Sequence, residues 1–293
     1  MLGTRILTAA FVLLLLVGFA WLLPPVGFDL LLLAIVAIAC FEWMRLLQVA
    51  VPSSVLISVG FFGVGAVGLF VLPSVMTAAN GLGAGVLPLY VFATIVWLVA
   101  VPLALSRFET LGGNRFAGRV VAITLCFATW LALIQADAFG KPFLLSVLLI
   151  VWVADTAAYF AGRAIGRTKL APRISPGKTR EGVAGALVGV ALVAFLAAYS
   201  DIVSGARNGN SVFSLLQISL GGGFLAAFSV LIALVSVVGD LYESLIKRVA
   251  GVKDSGSLLP GHGGVLDRID ALIAVLPVTM CLVTLIQSGW IGR

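Results

Sequence analysis

Residues 214–239 form a run of 26 residues without a charge, SLLQISLGGGFLAAFSVLIALVSVVG, and the next residue is Asp240. The run exceeds the roughly 20 apolar residues that an α-helix needs to cross a bilayer. Backbone N–H and C=O groups find no water in the hydrocarbon layer, so a lipid-exposed segment of this kind must be helical. Residues 214–239 therefore predict a transmembrane helix that ends beside an ionisable side chain.

The rest of the chain has the same apolar character. Of its 293 residues, 61% are hydrophobic and only 10% are charged, with 18 basic and 12 acidic side chains. A soluble chain of this length would carry about 73 charged residues. A soluble enzyme, a disordered chain and a secreted disulfide scaffold are therefore excluded. We predict an all-α, polytopic integral membrane protein.

Apolar runs separated by Pro, Gly or charged residues predict about nine transmembrane helices. The first run follows Arg5. It is long for a signal peptide and no A-x-A-like cleavage site follows it, so we interpret it as an uncleaved helix. The predicted spans are residues 6–23, 29–48, 54–73, 86–105, 119–136, 143–162, 182–199, 214–239 and 269–289.

The basic residues predict the orientation of these spans. If the N-terminus is cytoplasmic, 15 of the 18 Lys and Arg residues fall on the cytoplasmic side, and Lys141, Arg207 and Arg293 do not. This bias is the one that membrane proteins show. The net charge is +6. Since basic residues in such a protein face anionic lipid headgroups, we expect no nucleic-acid partner.

The charged residues are concentrated in two segments that both fall on the predicted cytoplasmic side. Residues 155–181 and 240–270 together hold 17 of the 30 charges. We therefore expect residues 1–142 to be an N-terminal transmembrane scaffold of about five helices. Residues 143–293 are expected to be a catalytic region of about four helices with two cytoplasmic polar segments.

The second polar segment begins with four side chains that share one face of a helix. Asp240, Ser244, Lys247 and Arg248 are spaced i, i+4, i+7 and i+8. A loop rich in Gly and Pro follows and contains Lys253 and His262-Gly263-Gly264. Glycine N–H groups can approach a phosphate closely because no side chain blocks them.

Three carboxylates of this segment predict a cation site. Asp267 and Asp270 are spaced i, i+3 and share a helix face, and Asp240 is expected nearby. Because like charges repel, such a group requires a cation. Oxygen ligands favour Mg²⁺ over zinc, and magnesium at carboxylates is typical of phosphate-transfer sites. Whether a second cation joins it is left open.

The first polar segment fits the same chemistry. Ser175, Lys178 and Thr179 surround a Pro-Gly turn and are suited to phosphate binding. Gly177-Lys178-Thr179 is not a P-loop, because the G-x-x-x-x-G-K-[ST] spacing fails and we predict no strand before it. Asp155 lies within the sixth span, and its role is left open. Gly182, Gly185 and Gly189 indicate close helix packing.

Residues 244–270 resemble the signature of the phosphatidate cytidylyltransferases, also called CDP-diacylglycerol synthases. Residues 175–182 are similar to the upstream motif of that family, with Gly177 at a position where Lys is common. The resemblance covers roughly the last 140 residues, and the first five spans match only in being apolar. The shared signature positions are Ser244, Lys247-Arg248, Lys253-Asp254, His262-Gly263-Gly264, Asp267-Arg268 and Asp270.

The resemblance implies a multi-span enzyme of a bacterial-type inner membrane that makes CDP-diacylglycerol and pyrophosphate from CTP and phosphatidic acid. It also implies Mg²⁺ as the cofactor, a homodimer, and an active site on the cytoplasmic side, where CTP is found. We assign Asp240, Asp267 and Asp270 to the metal, and Lys247 and Arg248 to catalysis beside them. The substrate-binding residues are expected to be Ser175, Lys178, Thr179, Ser244, Lys253, His262, Gly263, Gly264 and Arg268.

Two alternatives remain open from the sequence. The first keeps the site and changes the lipid, giving a CTP-dependent enzyme on an isoprenoid lipid, of the CDP-archaeol synthase or dolichol kinase type. The second is an ion transporter with Asp155 and Asp240 on a cation path. It leaves the basic segment rich in Ser, Thr and Gly unexplained.

Overall fold

The computed structural model describes residues 18–72, 85–111, 115–205, 210–258, 261 and 263–292. Its long helices confirm the all-α membrane class, since eight of them are long and apolar enough to cross a bilayer. In chain order the elements are α1 (Pro25–Leu46), α2 (Val51–Val71), α3 (Leu87–Arg107), α4 (Arg115–Ala138), α5 (Lys141–Ile165), β1 (Lys169–Ala171), β2 (Ser175–Thr179), α6 (Arg180–Val203), α7 (Val212–Leu220), α8 (Gly222–Val249) and α9 (Leu266–Gln287).

Each of the last eight predicted spans corresponds to a helix in the described part of the chain. The first predicted span, residues 6–23, lies mostly outside the described residues. The count of nine therefore stays a prediction, as does the cytoplasmic position of the N-terminus.

The span predicted at residues 214–239 is wrong at both ends. Gly221 has φ +83° and ψ 169°, a conformation that glycine adopts readily and L-residues avoid, so α7 stops at Leu220. Helix α8 starts at Gly222 and continues to Val249. Asp240 and Lys247 consequently lie on the transmembrane helix itself, in its last three turns.

A short antiparallel hairpin, β1–β2, corrects the prediction that no strand precedes the Gly-Lys-Thr triplet. Its register pairs Lys169 with Thr179 and Ala171 with Ser175. Thr179 ends β2 and caps α6, because its Oγ1 accepts a hydrogen bond from the Gly182 N–H at 3.1 Å. The hairpin thus carries the upstream motif directly onto the first turn of α6.

Helix α9 is the central helix of the bundle. Within its most apolar window 72% of the residues are buried, against 22% for α2, which faces outward. It packs against α8 and α5 and also against α1, α3 and α4 from the N-terminal half. The first turn of α9, which carries two predicted site residues, is therefore surrounded by helices of both predicted regions. The division at residue 142 stays a prediction.

The two ends of the bundle differ in what they hold. At one end lie the hairpin, the end of α8 and the start of α9, and the Leu111 N–H there donates to the Tyr242 hydroxyl at 3.0 Å. At the opposite end Lys141 pairs with Asp137 at 2.7 Å and lies 3.9 Å from the centroid of the Phe28 ring. The two polar segments of the sequence therefore meet at the same end.

Glycines allow α5 and α6 to approach closely, as the Gly182, Gly185 and Gly189 pattern predicted. A Cβ added at Gly185 would lie 2.4 Å from the Ala161 Cβ and 2.9 Å from the Ala157 carbonyl oxygen. Small residues at such contacts let two helix backbones pack in van der Waals contact.

We expect Gly185→Val to destabilise the bundle by about 1–3 kcal/mol, because the added methyl groups overpack the α5–α6 contact. Gly60→Val is the matched control, since no atom lies within 4 Å of a Cβ built there. Thermal unfolding of both variants in detergent measures the difference. Equal midpoints would contradict the packing described here.

Candidate active site

A cavity of about 530 Å³ opens between α5, the hairpin, α6 and α8. The polar side chains that line it are Asp155, Tyr159, Arg163, Ser175, Lys178, Thr179 and Asp240. Asp155 lies ten residues before the end of α5. At 1.5 Å per residue it is about 15 Å below the helix end, so the cavity extends from the hairpin into the apolar layer.

Lys178 joins the upstream motif to the signature segment. Its Nζ lies 2.6 Å from Asp240 Oδ2, and the two side chains are 24% and 29% exposed. Ser244 lies one turn further along α8, with its Oγ 3.4 Å from Asp240 Oδ1. The structure therefore brings together Ser175, Lys178, Asp240 and Ser244, as the sequence predicted.

Asp240 belongs to a group of three carboxylates with Asp155 and Asp270, whose charges repel one another. Asp270 is at this level because α8 and α9 touch at Gly239. A Cβ there would lie 3.1 Å from the Asp270 carbonyl oxygen. Lys178 attracts both Asp155 and Asp270. The third carboxylate near Asp240 and Asp270 is therefore Asp155. An ionisable residue inside an apolar run is usually functional, so the sequence already contained a signal for it.

Asp267 has a separate set of partners. It accepts hydrogen bonds from Lys247 Nζ at 2.6 Å, from the Ser255 N–H at 2.9 Å and from the Gly264 N–H at 2.8 Å. Lys247 also pairs with Glu243, which is 4% exposed. Asp267 and Lys247 thus form a buried ionic link between α8 and α9, beside the cavity residues rather than among them.

The donor chemistry near the cavity fits magnesium with one or two carboxylate ligands. Asp155, Asp240 and Asp270 supply hard oxygen donors, and Mg²⁺ ordinarily keeps several water or substrate oxygens. Within the residues that the structure describes, no three His, Cys, Asp or Glu side chains form a ready-made metal site. Asp240 contacts Lys178 and Ser244, and Asp270 accepts one hydrogen bond, from the Ala271 N–H. Asp267 accepts four hydrogen bonds, so its oxygens are the least available to a metal.

The two glycines of the signature, Gly263 and Gly264, each lie close to a carboxylate of the protein itself. A Cβ added at Gly263 would lie 2.5 Å from Asp267 Oδ2, and one at Gly264 would lie 2.3 Å from Glu42 Oε2. The Gly264 N–H already donates to Asp267. The need for glycine here follows from this internal contact, and phosphate binding by these N–H groups stays a prediction.

The remaining predicted residues occupy varied positions. Arg248 donates from Nε to the Ile174 carbonyl at 3.2 Å and so fixes the hairpin against α8. Lys253 is exposed in the loop after α8, and Arg268 is exposed on the first turn of α9, where it attracts Asp155. His262 lies outside the described residues.

Two buried acids, Glu42 and Glu243, were not among the residues that the sequence predicted for the site. Glu42 lies near the end of α1 and is 4% exposed, and its carboxylate accepts hydrogen bonds from Ser255, Val265 and Leu266. Both acids interrupt apolar stretches of the sequence, which is the signal that marks a functional or structural charge in a membrane helix.

The two lysine pairs predict different costs of substitution. Lys247→Met leaves two buried carboxylates without their cation, so we expect a loss of about 3–5 kcal/mol of stability. Lys178→Met breaks a pair that water reaches, and we expect a loss of at most about 1 kcal/mol. Thermal unfolding in detergent compares the two. A Lys178 variant that is as unstable as the Lys247 variant would refute this distinction.

The chain resembles known proteins over almost its whole length. The chain matches the cytidylyltransferase family over residues 3–286. It is 36% identical to a phosphatidate cytidylyltransferase of Pseudomonas aeruginosa over 99% of both chains. It is 33% identical to one of Haemophilus influenzae, with 94% of this chain and 96% of that protein covered. A Thermotoga maritima protein of the same name is 43% identical over 150 residues. The chain therefore belongs to the cytidylyltransferase family.

Proposed function

We propose that this protein transfers the CMP group of CTP to phosphatidic acid and releases pyrophosphate, forming CDP-diacylglycerol for phospholipid biosynthesis. The observation that carries the proposal is the cavity at the hairpin. Its cationic and hydroxyl side chains, Lys178, Arg163 and Ser175, line the same cavity as the carboxylates of Asp155 and Asp240. A site of this depth can receive a lipid headgroup from the bilayer and a nucleotide from water. Relatives that match the chain over nearly their whole length are named for this activity.

The reaction requires positioning and charge neutralisation more than proton transfer. A phosphate oxygen of phosphatidic acid is anionic near neutral pH and attacks the α-phosphorus of CTP. The bond from that phosphorus to the oxygen of the β-phosphate breaks, and pyrophosphate leaves with the bonding electrons. In-line phosphoryl chemistry of this kind depends on holding both substrates and stabilising the charge of the equatorial oxygens.

Individual side chains have distinct roles in this reaction. Lys178, with Ser175 beside it, binds a substrate phosphate, and that phosphate competes with Asp240 for the ammonium group. Arg248 bonds Ile174 through Nε, so within the described part of the chain its terminal guanidinium nitrogens can be offered to a phosphate. Lys247 has two of its three N–H donors directed at Glu243 and Asp267. It therefore acts mainly by holding α8 and α9 together.

We further propose that magnesium is held by Asp240 and Asp270, with Asp155 close by. When bound, Mg²⁺ would neutralise charge on the phosphates of CTP and help to orient them. Asp267 was also predicted as a ligand, and that assignment is weakened by its four existing donors. A second cation beside Mg²⁺ stays open.

We place the protein in the inner membrane with the cavity facing the cytoplasm. The basic residues near the cavity support this orientation, since cytoplasmic loops of membrane proteins are enriched in Lys and Arg. CTP is also made in that compartment. The homodimer is proposed on the family resemblance alone.

The alternatives from the sequence have less support. The relatives are named for phosphatidate rather than for an isoprenoid lipid. An ion path between Asp155 and Asp240 would not require the hairpin, whose Lys178 occupies Asp240.

The activity is tested with purified protein, radiolabelled CTP and a panel of phosphatidic acid, unsaturated archaetidic acid and dolichol. We expect CDP-diacylglycerol and pyrophosphate in equal amounts, with Mg²⁺ required. Release of CDP would instead indicate a lipid kinase. A preference for archaetidic acid would move the protein to the isoprenoid lipids, and turnover without a divalent cation would remove the magnesium proposal.

Asp270→Asn is expected to lower kcat about 100-fold, because it removes a carboxylate at the point where phosphate charge must be balanced. Glu109→Gln, an exposed acid at the same end of the bundle, is the matched control and should keep normal turnover. Near-normal kcat in Asp270→Asn at saturating Mg²⁺ would show that Asp270 is not a metal ligand.

The orientation is tested by thiol labelling, since Cys40, Cys126 and Cys281 are all buried. Ser257→Cys places an exposed thiol in the loop after α8, and Ser204→Cys places one at the opposite end of the bundle. A membrane-impermeant maleimide added to spheroplasts should label only the Ser204 variant. Labelling of the Ser257 variant would place the cavity on the outer face.

A further inference from the structure

Glu42 is the acidic side chain through which the N-terminal half of the bundle reaches the signature segment. It lies in the last two turns of α1 and is 4% exposed. Its three hydrogen-bond donors lie more than 200 residues away in the sequence. Oε2 accepts from Ser255 Oγ at 2.9 Å and from the Leu266 N–H at 2.7 Å, and Oε1 accepts from the Val265 N–H at 3.1 Å.

Two of those donors are backbone groups at the N-terminus of α9. The first N–H groups of a helix have no partner within the helix and are normally capped by the residue that precedes it. Val265 occupies that position, and no side-chain cap is present there. Glu42 supplies the missing cap from another helix, and its negative charge is favourable at this end of the helix dipole.

The loop before α9 is shaped around the same carboxylate. A Cβ added at Gly256 would lie 2.5 Å from Glu42 Oε1, and one at Gly264 would lie 2.3 Å from Oε2. Ser255 continues the contact, because its Oγ lies 3.0 Å from Asp267 Oδ2 as well as 2.9 Å from Glu42. Glu42 and Asp267 therefore contact the loop from its two sides. Asp267 also pairs with Lys247 and so connects the loop to α8.

We propose that Glu42 is a positioning residue for cytidylyl transfer, which fixes the signature loop and the first turn of α9. That turn carries Arg268 and leads directly into Asp270, so a shift of the cap moves both relative to Asp240. The substrate need not touch Glu42. Helix α1 thus does more than anchor the protein in the membrane. The expected effect on kcat rests on the proposed function.

Glu42→Gln is the informative variant. Its amide keeps the shape of the side chain, but its NH₂ group must face at least one N–H or O–H donor, so the cap cannot be complete. We expect kcat to fall about 10- to 100-fold, the usual effect of losing a partner that orients site residues. Asp29→Asn is the matched control, because Asp29 lies on the same helix, is 5% exposed and sits at the opposite end of the bundle.

Hydrogen exchange gives a readout that a general loss of stability would not reproduce. In Glu42→Gln the amides of residues 254–258 and 264–270 should exchange about tenfold faster, while those of α5 and α6 keep their rates. Asp29→Asn should leave kcat and the exchange of these segments unchanged. Faster exchange throughout the bundle, or normal kcat in Glu42→Gln, would overturn the proposal.

Ser255→Ala keeps the test decisive if Glu42→Gln fails to fold. It removes only the hydroxyl between Glu42 and Asp267, so we expect a smaller fall in kcat and faster exchange limited to the loop. Unchanged kcat with unchanged exchange would overturn the proposal. If the unaltered protein forms no CDP-diacylglycerol, the proposed function fails, and the exchange measurement still decides whether Glu42 holds the loop.

Discussion

The two ion pairs of Lys247 fix α8 relative to α9. One cation lies between Glu243 on its own helix and Asp267 on the next, at a place where the carboxylates are almost fully buried. A charge left unpaired in such a place costs several kcal/mol, so neither helix can slide or rotate without losing the pairing. The relative positions of the site residues on α8 and α9 therefore depend on this contact.

The position of the cavity carboxylates follows from that alignment. Gly239 lets α8 touch α9 just before Asp240, and the contact on α9 is made by Asp270, Ala271 and Ala274. Asp240 and Asp270 are thereby held close enough to repel, with Asp155 approaching from α5. The hairpin closes the group, since Lys178 pairs with Asp240 and Arg248 holds the hairpin backbone. Ordinary helix packing thus produces a concentrated negative charge that a cation and a basic loop can use.

The sequence predicted the elements well and their partners less well. Long apolar runs predicted the eight described membrane helices, because the bilayer permits few other structures. Local spacing correctly placed Ser244 beside Asp240, because these residues are one helical turn apart. Lys247 instead pairs with Glu243 and Asp267. The group of Asp240 with Asp155, and the cap that Glu42 gives to α9, join residues far apart in sequence. No local sequence pattern specifies such a contact. The sequence signal for it was limited to an acidic residue within an apolar run.

The glycines of the signature show why residue type alone gave an incomplete interpretation. Gly263 and Gly264 were expected to admit a phosphate, yet the space beside them holds Asp267 and Glu42. A carboxylate and a phosphate require the same features of a backbone, namely free N–H groups and no Cβ that blocks their approach. The Gly264, Val265 and Leu266 N–H groups already donate to these carboxylates, which favours side-chain donors such as Lys178 and Arg248 in the proposed binding of the substrate phosphates. The loop thus holds the start of α9, and the hairpin is the segment that we propose for binding substrate.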